Sequence, residues 1–423
     1  MSSPIDSASE KFVAGRPSTQ EALIDISSGK LSSNDDDVDL VYDALRAVRS
    51  HLKMEVAFIS EFAFGKRYFR YVDAISESPP ITVGDSNPLE ESYCQQIVNG
   101  NLPEIIPDAW LIPAAMNFPV TKALPVRAHI SVPIRFSGGQ IYGTFCCFSS
   151  KPDHSLDERD LLMMRTFADF ASRQIERRIV SKIACKEKFE RVRFVLDTSA
   201  YRIVYQPIYN FEEERIVGFE SLTRFSHSLA RSPDVWFTEA EEVGLGEELE
   251  MAVIKKAILA LHHLPQHAYV SLNLSPDNIA NGAIARVLEN VPLDRIVLEV
   301  TEHTAVSDYS KVLSMLEPLR SQGLRLAVDD AGAGYASFRH ILKMHPDLIK
   351  LDTHLVRNID RDRELRALAK ALVSFARETG AKVIAEGVET PEELDSLRGL
   401  RVSNAQGYFL GRPMEMEAAM KLL

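Results

Sequence analysis

The sequence has little cysteine and no long apolar run, and each shortage excludes a class of protein. No stretch approaches the roughly eighteen apolar residues of a membrane-spanning helix. The N-terminus, MSSPIDSASEKF, lacks the basic and apolar regions of a secretory signal. The four cysteines show neither paired metal-ligand spacing nor a secreted disulfide framework. We therefore expect a soluble, cytoplasmic protein with reduced thiols and no membrane partner.

Positive charge is also scarce, because 48 Lys and Arg face 60 Asp and Glu for a net charge of −12. Binding a nucleic-acid polymer needs a basic surface that neutralises phosphates, so we expect no such partner. A small anionic ligand held through a metal is compatible with this charge. The 423 residues, 45% of them hydrophobic, exceed one ordinary core and predict two domains.

The N-terminal part divides into a leader and a first domain. Residues 1–36 are rich in Ser, Asp and Gly, and we interpret them as a flexible leader. Residues 37–177 open with the helical pattern VDLVYDALRAVRSHL and contain three strand patterns, EVAFISEF, HISVPIRF and QIYGTFCCFSS. Ser137-Gly138-Gly139 joins the last two as a hairpin. This pattern predicts an α+β domain with an antiparallel sheet.

A long helix is expected between the two domains, because residues 155–196 contain neither Gly nor Pro. Ser155 followed by Glu158 predicts a capping box at its start. Its first half is expected to pack on the first domain. In its second half, charges surround Ile179 and Ile183. This pattern favours either a connecting helix at residues 178–196 or a dimer-forming rod.

Residues 197–423 alternate between apolar strands and helical patterns. About eight strands follow one another from RIVYQPIY to a weaker pattern near residues 404–410. Strands that alternate with helices imply a parallel sheet, and this number fits a closed α/β barrel of the (β/α)8 TIM type. The chemistry of such barrels lies at the C-terminal ends of the strands.

Ionisable side chains occur at these strand ends. The adjacent Asp329 and Asp330 repel each other and favour a cation between them, although a solvated turn is the alternative for any single position. The strand-end set has no Cys or His, which favours Mg²⁺ or Mn²⁺ over zinc. It comprises Glu220, Asn273, Glu299, Glu302, Asp329, Asp330, Lys350, Asp352, Glu386, Glu389 and Gln406. Several carboxylates around an aspartate pair could hold two metals for phosphate-ester hydrolysis.

Eight motifs follow one another in the C-terminal half: YQPIY, GFESLTR, SLNLSP, LEVTE, AVDDAGAGYASF, IKLD, IAEGVET and QGYFLGRP. In sequence and in order, these motifs resemble those of an EAL-domain cyclic-di-GMP phosphodiesterase. The resemblance implies a barrel that hydrolyses cyclic-di-GMP to linear pGpG with two Mg²⁺ or Mn²⁺ ions. The alternative is a catalytically weak receptor that signals by binding cyclic-di-GMP.

The resemblance also assigns residue roles. Glu220, Asn273, Glu299 and Asp329 would hold the first metal, and Asp329, Asp330 and Glu386 the second. Lys350 would position the attacking water, and Glu302 would anchor the loop after the aspartate pair. Glu389 would act indirectly, without contacting the metals. Gln206, Leu222, Arg224 and Gln406 would contact the dinucleotide, although Gln206 and Leu222 could equally serve packing and hydrogen bonding at the barrel rim. Two positions depart from the family pattern: Ser221 replaces the Ala of Glu-Ala-Leu, and Ala331 replaces a Phe.

The first domain resembles a GAF domain through its opening helix and strand, the segment ESYCQQIVNGNLPEIIPDA and the hairpin. The resemblance implies a small ligand of unknown identity, homodimer formation through terminal helices, and regulation of the barrel. A module that only dimerises, without a ligand, is the alternative. Cys94 could attach a chromophore, but a cysteine in a half-buried helix more often serves packing.

Overall fold

The computed structural model describes residues 36–124, 126–226, 231–300, 308–331 and 341–423. The chain forms two compact units that divide between Lys186 and Glu187. The predicted leader lies outside the described residues except for its last position. No helix in the described part of the chain combines the length and the apolar character needed to cross a bilayer.

The first unit is built on one antiparallel sheet of six strands in the order β3-β2-β1-β6-β5-β4. Its strands are β1 Val56–Ala63, β2 Lys66–Ala74, β3 Ser86–Pro88, β4 Ile105–Ile106, β5 Ala128–Arg135 and β6 Ile141–Ser149. Its helices are α1 Asp36–Leu52, α2 Tyr93–Val98, α3 Pro113–Met116, α4 Pro119–Ala123 and the start of α5 Glu158–Thr198. The predicted α+β architecture and the hairpin between β5 and β6 are confirmed.

Each face of this sheet carries its own core, because successive strand residues point to opposite faces. Ile59 packs with α1 and α5 residues such as Leu45 and Met164. Phe58, one position earlier, packs on the other face with α2. The neighbouring thiols of β6 divide in the same way, with Cys147 in the first core and Cys146 in the second.

Helix α5 confirms the prediction of a single long helix, but its start differs from the expected capping box. The helix begins at Glu158, and the backbone amides of Arg159 and Asp160 donate to Asp157 Oδ1 at 2.7 and 3.3 Å. The Ser155 hydroxyl instead donates to Asp153. A carboxylate next to the helix start satisfies these amides better than a hydroxyl one turn away.

The second unit contains a closed barrel of eight strands in the order β10-β11-β12-β13-β14-β7-β8-β9. The strands are β7 Tyr201–Asn210, β8 Arg215–Phe225, β9 Tyr269–Asn273, β10 Ile296–Val300, β11 Arg325–Ala331, β12 Leu348–Leu351, β13 Lys382–Ala385 and β14 Asn404–Ala405. The described helices are α6 Pro233–Glu242, α7 Gly246–Ala257, α8 Pro276–Ala280, α9 Ala283–Val287, α10 Tyr309–Arg320, α11 Thr353–Val356, α12 Arg363–Thr379, α13 Pro391–Gly399 and α14 Met416–Ala419. The predicted TIM-like barrel is confirmed.

The alternating pattern predicted a barrel that is parallel throughout, but one strand of the barrel runs in the opposite direction. Strand β7 runs antiparallel to both of its neighbours, β8 and β14. Only residues 211–214 separate β7 from β8, and a parallel crossover needs a dozen or more residues. The reversal places Gln206 directly beside Glu220.

Candidate active site

Lys350 lies at the centre of a buried carboxylate cluster inside the barrel. Its ammonium nitrogen is 2.7 Å from Glu299 Oε2 and 2.7 Å from Glu386 Oε1. Asp329 Oδ1 lies at 3.2 Å and Glu220 Oε1 at 3.6 Å. Lys350 is 1% exposed and Glu299 is fully buried. One ammonium group therefore contacts four carboxylates in a region largely closed to solvent.

The barrel brings these groups together from separate strands. Glu220 comes from β8, Glu299 from β10 and Asp329 from β11, while Lys350 comes from β12. Glu386 directly follows β13. Inward-pointing residues of neighbouring barrel strands meet in the interior, so Lys350 contacts a carboxylate that lies 130 positions earlier in the chain.

Hydrogen bonds fix the orientation of the glutamates. Asn273 Nδ2 donates to Glu220 Oε1 at 3.2 Å, and Gln406 Nε2 donates to Glu220 Oε2 at 2.5 Å. Gln406 Nε2 also donates to Gln206 Oε1 at 3.1 Å. On the other side, the Ser271 hydroxyl donates to Glu299 Oε1. The structure thus joins Asn273, Gln206 and Gln406, three residues selected from the sequence, through Glu220.

The excess of negative charge shifts the pKa values of the cluster. Burial lowers the pKa of Lys350, but the surrounding carboxylates outweigh burial and hold it well above its usual range. Burial raises the pKa of Glu299 to about 8 against the opposing charge of Lys350. Burial also raises the pKa of Glu386. A single lysine does not balance the charge of these carboxylates, so the cluster favours additional cations.

The residues present fit a divalent metal. Carboxylate oxygens of Asp329, Asp330 and Glu386 lie within 4.8 Å of one another. Asp330 has a positive φ of 53°, and its amide donates to Asp329 Oδ1. The Oε1 atom of Gln406 is buried without a hydrogen-bond partner among the described residues. An all-oxygen donor set of this kind suits Mg²⁺ or Mn²⁺.

A cleft of about 380 Å³ opens above the cluster. Its walls include the predicted site residues Gln206, Glu220, Leu222, Asp329, Lys350, Glu386, Glu389 and Gln406. Thr353, Arg357 and Tyr408 also line it. The guanidinium of Arg357 forms two hydrogen bonds with Glu389, at 2.5 and 2.6 Å. Sequence reasoning missed these three residues because none of them ends a strand, although Thr353 and Arg357 closely follow the IKLD motif.

Two further sequence assignments have a described position. Arg224 lies two residues beyond Leu222 on β8, is half-buried, and donates to the backbone oxygen of Thr223. It is absent from the described lining of the cleft. Ser221 is buried, and its hydroxyl donates to the Ser271 carbonyl at 2.8 Å. Ala331 is buried at the end of β11, whereas Glu302 lies outside the described residues.

Sequence matches to related proteins cover much of this chain, but each match covers only part of the related protein. A protein of Sinorhizobium fredii is 30% identical over 290 residues, which are 65% of this chain and 35% of that protein. The cyclic di-GMP phosphodiesterase NbdA of Pseudomonas aeruginosa is 29% identical over 271 residues, 61% of this chain and 34% of NbdA. The chain thus spans about a third of the length of these relatives.

Solved structures show the same fold. The PaMucR phosphodiesterase, in complex with c-di-GMP, is 27% identical with a TM-score of 0.50, and the match covers 55% of this chain and 99% of that one. The EAL enzyme Bd1971, with cAMP and cyclic-di-GMP bound, is 17% identical with a TM-score of 0.54 over 87% of this chain and 93% of that one. At that identity the second likeness shows the fold alone.

Two family models match the chain. The GAF domain model matches residues 38–175. The EAL domain model matches residues 190–413, more than half of the chain. Both resemblances drawn from the sequence are therefore confirmed, and the protein belongs to the EAL domain family.

Proposed function

We propose that the protein is a metal-dependent phosphodiesterase that hydrolyses cyclic-di-GMP to linear pGpG. The observation that carries the proposal is the buried cluster of four carboxylates around Lys350, which opens into a cleft. Its support is membership of the EAL family, relatives named as cyclic di-GMP phosphodiesterases, and the likeness to the PaMucR phosphodiesterase in its c-di-GMP complex.

We assign the metal ligands to two groups that share one residue. Glu220, Asn273, Glu299 and Asp329 would hold one divalent ion. Asp329, Asp330 and Glu386 would hold the other, in keeping with the closeness of their oxygens. When bound, the two ions would supply Lewis-acid chemistry, neutralising phosphate charge and favouring ionisation of water.

The chain's own residues would orient the reactants. Hydrolysis adds water across one phosphodiester bond: the water oxygen bonds to phosphorus, and the ribose 3′ oxygen leaves and gains a proton. The Lys350 ammonium group is a hydrogen-bond donor at the centre of the cluster, suited to positioning that water. Gln406 and Asn273 hold the Glu220 carboxylate in a fixed orientation, which reduces reorganisation during the reaction.

The cleft would hold the dinucleotide. Gln206, Leu222 and Gln406 line it and are proposed to contact the substrate. Arg224 follows Leu222 on the same face of β8 and is proposed to contact a phosphate. Glu389 would act indirectly by holding the Arg357 guanidinium at the edge of the cleft.

The proposal is tested with the purified full-length chain, cyclic-di-GMP, and either Mg²⁺, Mn²⁺ or a chelator. We expect pGpG to form with metal and not with chelator. In water enriched with heavy oxygen, the label should enter the 5′ phosphate of pGpG, because water attacks phosphorus. Tight binding of intact cyclic-di-GMP without product would contradict the enzyme and favour the receptor.

We also propose that the GAF domain regulates the barrel and that the protein is a homodimer. The support is the GAF match and the helix α5, whose residues run from Glu158 to Thr198. A chain lacking residues 1–178 should differ from the full chain in kcat/KM. Equal values would contradict regulation. Light scattering of the full chain should give twice the monomer mass, and a monomer mass would contradict the dimer.

A further inference from the structure

Two thiols of the first unit lie close together on one face of its sheet. Cys94 is on α2 and Cys146 is on β6, and their Sγ atoms are 3.5 Å apart. Both side chains are fully buried in the same core. Cys146 also forms hydrogen bonds with the hydroxyls of Ser131 and Thr144, at 3.0 and 3.1 Å. The pair is therefore held in a polar pocket inside an otherwise apolar region.

A buried guanidinium faces this pair. Arg67 is 3% exposed, and its Nη1 donates to Cys94 Sγ at 3.0 Å. Its Nε donates to Asn87, and its Cζ atom lies 4.6 Å from the ring centre of Phe69. In the described ranges, no carboxylate forms an ion pair with Arg67. A buried charge without a partner is costly, so Cys94 is the acceptor that offsets it.

The ionisation of the two thiols differs accordingly. Burial raises the pKa of Cys94, but the hydrogen bond between Cys94 and Cys146 and the charge of Arg67 outweigh burial and lower it to about 5. Burial and the neighbouring Cys94 hold the pKa of Cys146 well above its usual range. The Arg67 guanidinium therefore favours the thiolate form at Cys94, whereas Cys146 favours the thiol. Thiolates are the reactive form of cysteine.

Arg67 also lines a small cavity of about 20 Å³. Its other walls include Tyr93, His129 and apolar side chains. The Nδ1 atom of His129 is buried without a hydrogen-bond partner in the described structure. A cavity of this volume accommodates roughly one water-sized molecule, and Arg67 contacts both this cavity and Cys94.

We propose that Cys94 and Cys146 form an oxidisable dithiol site whose reactant is a small hydroperoxide. The Cys94 thiolate attacks a peroxide oxygen, the O–O bond breaks, and the leaving hydroxide or alkoxide takes a proton. The Cys94 sulfenic acid then reacts with the Cys146 thiol, which forms the S–S bond and releases water. Overall, two thiols lose two electrons and two protons, and the hydroperoxide is reduced to water and an alcohol or a second water.

The geometry selects this pair among the four cysteines. Closing a disulfide requires an approach from 3.5 Å to about 2 Å, which small side-chain movements can supply. Cys147 adjoins Cys146 in sequence but points to the opposite face of the sheet. Cys185 lies on α5 and is half-buried. These two residues serve as internal controls.

The test oxidises the reduced full-length wild-type protein with hydrogen peroxide, then denatures and alkylates it. Mass spectrometry of the digest should show a peptide pair linked through Cys94 and Cys146, so that two thiols per chain are no longer available for alkylation. Cys147 and Cys185 should stay reduced at that peroxide dose and should therefore be alkylated. Oxidation of Cys185 while Cys94 and Cys146 stay reduced would overturn the proposal.

Two variants separate the adjacent thiols of β6. Cys147→Ala should keep the linked peptide pair. Cys146→Ala should abolish it and leave a Cys94 sulfenic acid that dimedone traps. The reverse pattern, with the link kept in Cys146→Ala and lost in Cys147→Ala, would overturn the assignment. The wild-type digest decides the existence of the link independently of whether either variant folds.

Discussion

Among the described residues, each unit has one buried Lys or Arg side chain, and these two cations have opposite surroundings. In the barrel, Lys350 contacts four carboxylates, so negative charge is in excess. In the first unit, Arg67 has the Cys94 thiol, an amide and two aromatic rings around it. The first arrangement attracts further cations, whereas the second stabilises a single anion at Cys94.

This difference shows how a buried charge can indicate chemistry. A buried ion pair adds little to stability compared with an apolar replacement, because desolvation offsets most of the attraction. The barrel cluster departs further from charge balance than the surroundings of Arg67 do, and it lies in the cleft that we assign to the substrate. Substitutions in the two regions should therefore differ in effect, and the largest effect is expected in the barrel.

Replacing Lys350 should have the largest effect. Lys350→Met removes the only ammonium group that contacts these four carboxylates in the described structure. We expect pGpG formation to fall at least about 100-fold, as when a positioned donor is lost from an active site. Without metal, the variant should also lose about 3–5 kcal/mol of unfolding free energy, measured by urea denaturation.

The matched control is Lys370→Met, the same substitution at an exposed position of α12. Its hydrolysis rate and urea midpoint should equal those of the wild type. Hydrolysis by Lys350→Met within tenfold of the wild-type rate would contradict the role proposed for Lys350.

Lower pH should destabilise the first unit through His129. Burial lowers the pKa of His129 to about 3, whereas the unfolded side chain titrates near pH 6.5. The unfolded state therefore binds more protons between these values, so the unfolding free energy falls as the pH falls below about 6.5. At pH 5, the titration of His129 should lower the unfolding free energy by about 2 kcal/mol.

The variant His129→Gln isolates this effect, because it keeps a polar side chain that does not titrate. Urea denaturation at pH 7 and pH 5 should show a smaller loss of stability in the variant than in the wild type. An equal loss in both proteins would show that His129 does not account for this pH dependence.

Glu389→Gln should have a modest effect on the barrel. Its ion pair with Arg357 is exposed, with side-chain accessibilities of 36% and 44%, and pairs of this kind contribute about 1 kcal/mol or less. If Arg357 positions substrate, kcat/KM should fall about fivefold, which corresponds to about 1 kcal/mol. A loss above 100-fold would place Glu389 in direct contact with the reacting groups.

Ser221→Ala should have the smallest effect. It restores the Ala of the Glu-Ala-Leu motif and removes one hydrogen bond to the Ser271 carbonyl. The expected change in unfolding free energy is about 1 kcal/mol, with hydrolysis within about twofold of the wild type. A large change in hydrolysis would show that the hydroxyl influences the neighbouring Glu220.

The sequence predicted much of the fold because apolar periodicity reports burial directly. It missed β2, whose exposed Lys66 and half-buried Arg70 obscure the alternation of buried Phe69 and half-buried Tyr68. It also missed the reversed direction of β7. Strand direction depends on the length of the connection to β8, which the count of strands does not reveal.

The candidate site was partly predictable for a related reason. Acids that interrupt apolar strands are conspicuous, which identified Glu220, Asp329 and Glu386. Contacts between distant loops leave no such pattern, and Arg357 was missed. The contact of Arg67 with Cys94 was missed too, since it joins residues 27 positions apart. The cytoplasmic location, the domain boundaries and the individual residue roles stay predictions.

The most direct test of the central claim compares two glutamate substitutions in the full-length chain. Glu220→Ala removes a proposed metal ligand, whereas Glu212→Gln neutralises an exposed glutamate in the turn between β7 and β8. The measurement is the initial rate of pGpG formation from cyclic-di-GMP with Mg²⁺. We predict that Glu220→Ala loses at least about 100-fold while Glu212→Gln equals the wild type. Full activity of Glu220→Ala would contradict the assignment of hydrolysis to the carboxylate cluster.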